Sequence, residues 1–319
     1  MTENLVTGNL VTMGEVHTGL LHHSSAISPA SATRLLDVVL GERVSRSDRP
    51  ISYVVSPSQL TGVDCLLPAA SGTKVRAVGT TVSRTALTGG HLLQGSAYVE
   101  VRRSAAARRL PWSHYLDGPG IVETLGKADG SQLADGFLDA KPAAGYLDLA
   151  SIARLAMDSV QDQRDLDHRS AFRSSRTRFR WVVPPSSADQ RLVIFGIQND
   201  VTRTVRLPNR SLDVTVVAEL CEDLALHDWL LTTLLSLIER SRIGFGSRSG
   251  VVERLQPAVD FLLHLWMPAA RTDEALIDVW EGVEQGSGLS RQWQVNVDRV
   301  RDQLALGTME KLSTGSSGS

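Results

Sequence analysis

Apolar positions alternate with polar ones from Met13 to Arg103, in runs rich in Val, Ile and Thr that Gly, Pro and Ser interrupt. A period of two is the signature of half-buried strands, so this stretch predicts a β-rich region. Gly89-Gly90 reads as a two-residue hairpin turn. That register pairs Leu93 with Ala86, Ala97 with Val82, Val99 with Thr80 and Val101 with Val78, gathering the apolar members on one face. It also sets Arg84 on that face opposite Gly95, where the missing side chain leaves room for a guanidinium. Arg84 is therefore a candidate binding residue, its ordinary reading being an arginine that snorkels to water.

The period changes further along. Tyr146 to Gln161 carries helical spacing through Leu149, Ile152, Leu155, Ala156 and Val160, with Asp148 as N-cap. Between the hairpin and this helix, 108–145 reads as a structured loop with short helices. Thr177–Val183 and Arg191–Leu207 read as strands, separated by Pro184-Pro185-Ser186-Ser187 and turned at Asn199-Asp200. Val217, Leu220, Leu224, His227, Leu231, Leu234 and Ile238 are then spaced by three and four, one seam on a helix from about Val214 to Arg242. Helices over Pro257–Trp266, Thr272–Gln285 and Leu289–Leu306 complete the pattern. The expected architecture is α+β: a mainly antiparallel β-rich domain over 1–210 with a helical insertion near 146–163, a helical bundle over 211–308, and a flexible tail over 309–319.

With 319 residues, 42% hydrophobic and 21% charged, the chain has the balance of a folded globular protein. No apolar run approaches the length of a spanning helix, and the start of the chain lacks a secretory pattern, so the expectation is a cytoplasmic protein without membrane contact. Cys65 and Cys221 alone support neither a disulfide framework nor a four-cysteine zinc site. Twenty-nine arginines stand against four lysines. Residues 1–218 carry 24 basic and 20 acidic side chains and 219–319 carry 9 and 15, so the two parts offer surfaces of opposite sign.

Arg176, Arg178 and Arg180 alternate with Thr177, Phe179 and Trp181, so a strand here presents three guanidiniums on one face. Such a face is a solvated surface, a phosphate binder or a docking site for acidic protein, and Trp181 or Trp112 would supply a stacking surface for nucleic acid. Asp223 and His227 lie four apart on the long helix, half of a general-base arrangement or a histidine satisfied within a helix interface, with Glu222 and Asp228 then facing solvent. His114, beside Trp112 and Tyr115, and Asp64 complete the candidates for an enzymatic site of hydrolase or transferase type. His17, His22 and His23 lack the spacing of a metal motif. Gly244–Gly250 follows a helix, lacks the Lys-Ser/Thr pair of a phosphate loop and reads as a mobile connection. No cofactor or metal is expected.

The segments Leu60–Cys65, Leu87–Ala97, Pro111–Leu116 and Cys221–Arg240 resemble a family of uncharacterised proteins from streptomycetes and related actinobacteria, the resemblance running from about Gly14 to Arg242. That family has no assigned catalytic residues, and its genes cluster with a variant P-loop protein and a predicted methyltransferase. The resemblance implies a noncatalytic accessory or scaffold subunit with a protein partner, the P-loop protein being the first candidate. The arginine strand and the acidic helical half would be its docking faces.

Overall fold

In chain order the elements are β1 (Asn9–Leu20), α1 (Pro29–Leu36), β2 (Ser45–Ser47), β3 (Tyr53–Val55), β4 (Gln59–Leu67), β5 (Val75–Thr88), β6 (Leu92–Arg103), α2 (Trp112–Leu116), β7 (Ile121–Leu125), α3 (Gly130–Asp139), α4 (Leu149–Gln161), β8 (Thr177–Val183), β9 (Ile194–Asn199), β10 (Thr202–Arg206), α5 (Val214–Ser241), α6 (Arg248–Phe261), α7 (Ile277–Ser287) and α8 (Leu289–Gly315). The structure is a computed structural model that describes residues 9–106, 108–139, 143–185, 193–210, 212–243 and 248–315. Most of the glycine-rich 244–250 connection and Ser186-Ser187 lie outside them.

Among the described residues the strands form one sheet in the order β2-β3-β5-β7-β6-β1-β8-β10-β9, with β4 beside β5. The β6–β7 and β8–β10 pairs are parallel and the others antiparallel. The α+β class stands, and the sheet is mixed. Its two faces are covered by different helices. Val11, Met13, Ala97 and Val99 pack with α3 and α4, while Val16, Val82, Tyr98 and Phe179 pack with α5 and α7.

This double cover accounts for a correction to the hairpin. The turn holds three residues, Gly89, Gly90 and His91, and the register pairs Leu87 with Leu93, Ser83 with Ala97 and Val82 with Tyr98, one residue away from the sequence expectation. With both faces buried, the apolar pattern no longer favours one register over its neighbour. Gly89 and Gly90 adopt φ of +60° and +69°, which the reversal requires and other residues resist. Arg84 consequently lies opposite Ser96. The space at Gly95 is taken by α4, whose Ala153 carbonyl would sit 2.3 Å from a β-carbon there. Below Val82 the hairpin strands part, and β7 inserts between β5 and β6.

The long helix α5 spans Val214–Ser241, capped by Asp213, whose side chain accepts from the Thr215 amide, and closed by Arg242 in the left-handed conformation. Its first half packs on the sheet, and its second half meets α6 and α8 through Leu230, Leu234, Leu255 and Val300. The β-rich part and the helical part therefore share core across the boundary expected at 210. Pro257 falls inside α6 instead of starting a helix, and α8 continues to Gly315, past the expected tail boundary at 309. Asp148 caps α4 as expected, accepting from the Ser151 amide at 3.0 Å.

Candidate functional sites

Alternation along β1 and β8 brings Glu15, Arg178 and Arg180 to one face of the sheet, the face under α3 and α4. Glu15, 1% exposed, accepts a two-pronged pair from Arg178 Nε and Nη2 and a further bond from Arg180 Nε at 3.3 Å. Burial raises the Glu15 carboxyl, but His17 at 3.6 Å and the bonds and charges of the two arginines outweigh it and hold the group at about 2. Arg180 also donates to the Leu138 carbonyl at the end of α3 and lies 5.2 Å over the Phe137 ring. Arg176 is turned to Asp158, 2.7 Å away. The three arginines are thus neutralised within the fold and do not form the open basic stripe expected of them. Trp181, 1% exposed, belongs to the core and offers no stacking surface.

Above this floor lies a cavity of about 440 Å³ between the end of α3, the start of α4 and the 68–73 connection. Glu15, Arg178 and Arg180 line it, together with Phe137, Tyr146 and Leu149. Nε and Nη2 of Arg178 are held by Glu15, while its Nη1 takes no partner among the described residues. The local pattern held a clue to Glu15: an acid at the alternate position after Val11 and Met13 sits among residues that face the core.

On the other face of the sheet a second carboxylate is gripped. Glu222 of α5 accepts from Arg84 Nε at 2.8 Å and Nη2 at 3.0 Å, from Ser96 Oγ at 2.5 Å and from the Tyr53 hydroxyl at 3.3 Å. Gln94 donates to the Glu222 backbone carbonyl at 2.9 Å. Arg203 Nε meets Asp228 at 3.0 Å, and burial still raises that carboxyl to about 6. Glu222 and Asp228 were expected at the solvent-facing side of the helix, and both are buried. The reason is that α5 is enclosed all round over Leu220–Leu231, and β5 and β10 each supply an arginine to meet an acid.

Asp223 and His227 are adjacent, but His227 Nδ1 bonds the Asp223 backbone carbonyl at 2.7 Å, and the Asp223 carboxylate is taken by Arg271 at 2.9 Å. The imidazole is flanked edge-on by Trp266 and Trp280. This is the packed histidine of a helix interface, held at Nδ1 through the backbone instead of through the carboxylate, while its Nε2 and Asp223 Oδ2 are buried without a hydrogen-bond partner among the described residues. His114 Nε2 contacts Glu123 at 2.8 Å, and Asp64 pairs with Arg76 at 3.2 Å and with Arg109 at 3.3 Å. The structure brings together only Asp223 and His227 of the four enzymatic candidates: His114 lines a cleft with Glu123, and the small cavity at His227 has other walls. Among the described residues no group of three or more His, Cys, Asp or Glu is placed to hold a metal ion.

A third feature is on the surface. The Trp112 ring lies on β4, where a β-carbon at Gly62 would be 3.2 Å from it. Arg109 stacks on the same ring at 5.1 Å. Leu60 and Gly62 share a face of β4, and Leu116 follows Trp112 by one turn of α2, so Leu60, Trp112 and Leu116 form an exposed apolar ridge at 47%, 39% and 57% exposure. Among the described residues β4 pairs with no strand other than β5, so Gln59–Asp64 runs along an edge.

No family model, curated protein sequence or solved structure matches the chain. Among the described residues no helix is long and apolar enough to cross a membrane.

Proposed function

We propose that the protein is a noncatalytic accessory subunit that binds a protein partner along β4 and α2. The observation that carries this reading is Trp112, exposed on Gly62 beside an edge strand, with Arg109 over its ring. Tryptophan and arginine are the side chains that most often dominate protein interfaces, and an edge strand supplies main-chain hydrogen bonds to an added strand. The partner segment is extended, with an apolar residue for the Leu60–Trp112–Leu116 ridge and an acidic residue for Arg76 or Arg109. The variant P-loop protein suggested by the family resemblance is the first partner to try.

This reading moves the docking face away from Arg176, Arg178 and Arg180, whose charges are met inside the fold. The test is a nuclease-treated pull-down from a streptomycete lysate with the wild type, Trp112→Ala/Leu60→Ser and Arg178→Ala. The expected result is one stoichiometric protein that the surface double variant loses and Arg178→Ala keeps. Retention by the double variant, or recovery of salt-sensitive nucleic acid without a protein, would overturn the proposal.

A further inference from the structure

The cavity over β1 and β8 lies apart from the β4 surface and has no part in the docking proposed there. Its floor is a guanidinium fixed in place: Glu15 takes Nε and Nη2 of Arg178, and the bonded Arg180 holds Glu15 from the other side. Arg180, 5% exposed, spends donors on Glu15 and on the Leu138 carbonyl, as a buried arginine must. Arg178, part-exposed, keeps Nη1 without a partner among the described residues, in a side chain that lines a space of about 440 Å³. That volume lies in the range of small-molecule sites, which pair mostly apolar walls with a few fixed polar groups.

We propose that this cavity binds a small organic monocarboxylate with an apolar body, its carboxylate received by Arg178. Phe137, Tyr146, Leu147 and Leu149 supply the apolar walls. The charge balance selects the class of anion. Around the described lining two guanidiniums, Arg178 and Arg180, face three carboxylates, Glu15, Asp139 and Asp148, a net negative lining that opposes a dianion such as a phosphate monoester about twice as strongly as a monoanion. A single carboxylate can meet the local donor at Arg178 Nη1, at about half the repulsion that a dianion would face from the rest of the lining. Because Glu15 already orients the guanidinium, the ligand bears little of the cost of ordering it.

The experiment is ligand-observed NMR followed by calorimetry on the full chain, using benzoate, phenylacetate and hexanoate, each beside its carboxamide, with phenyl phosphate as the dianion. At least one carboxylate is expected to bind at least tenfold more tightly than its amide and than phenyl phosphate. That binding is expected to fall at least tenfold in Arg178→Ala and to stay unchanged in Arg176→Ala. Should Arg178→Ala fail to fold, Ala143→Trp on the exposed rim blocks the cavity without touching the arginine pair, and it is expected to abolish binding. Equal binding of acid and amide, tighter binding of phenyl phosphate, indifference to both variants, or no binding of any probe would overturn the proposal. None of these outcomes bears on the β4 surface, whose partner is read in a separate assay.

Discussion

Two buried carboxylates, Glu15 and Glu222, are held by arginines on opposite faces of the same sheet, and they differ in what covers them. Glu222 is closed in: Arg84, Ser96 and Tyr53 take its oxygens, and Gln94 takes its carbonyl. Every contact comes from the sheet or its margin, so the cluster fixes where α5 sits. Glu15 has a similar clamp in Arg178 and Arg180, but the space above is an open cavity, and one edge of Arg178 is left to it. The same chemistry builds a joint when sealed and a recognition group when open. Exposure of the arginine, 7% at Arg84 against 21% at Arg178, separates the two roles, and residue type alone does not.

The largest effect falls on the sealed side. Arg84→Met leaves Glu222 buried without its charge partner, and a loss of about 3–5 kcal/mol in equilibrium unfolding is expected. Next comes the acid limb at Glu15. Its carboxyl is held at about 2 in the fold against an ordinary value of 4.5, so its contribution is complete above about pH 4.5 and is lost as pH falls towards 2. That contribution is of the order of 3 kcal/mol. Glu15→Gln is expected to flatten the acid dependence of urea unfolding between pH 5 and 2, and an unchanged slope would remove Glu15 from the account. A smaller effect follows at Arg178, whose side chain is 21% exposed and whose partner keeps Arg180: Arg178→Met is expected to cost about 1 kcal/mol. Smallest is Trp112→Ala, which lies on the surface and is expected to change stability by less than about 1 kcal/mol in thermal denaturation while weakening the partner complex.

Elements with a strong local signal were legible in the sequence. The three-and-four spacing from Val217 to Ile238 marked α5, Asp148 marked the start of α4, and Asn199-Asp200 marked the β9–β10 turn. The hairpin itself was legible and its register was not, because helices on both faces make both sets of side chains apolar. Insertion of β7 between β5 and β6 depends on pairing far along the chain, which no local period encodes. The arginines were visible as candidates, but their partners were not: Glu15 lies 163 residues from Arg178, and Glu222 lies 138 from Arg84. Those pairings turned a supposed basic surface into an internal one. Trp112 was noticed as part of an aromatic cluster, yet its exposure on Gly62 needed β4 and α2 to be brought together.

The contrast between the two clamps is tested most directly by equilibrium urea unfolding of Arg84→Met and Arg178→Met side by side with the wild type at neutral pH. The account predicts that Arg84→Met loses at least about 2 kcal/mol more than Arg178→Met, since only the first leaves its carboxylate without an arginine. Equal losses would show that both arginines are structural joints, and the distinction between a sealed frame and an open recognition site would fail.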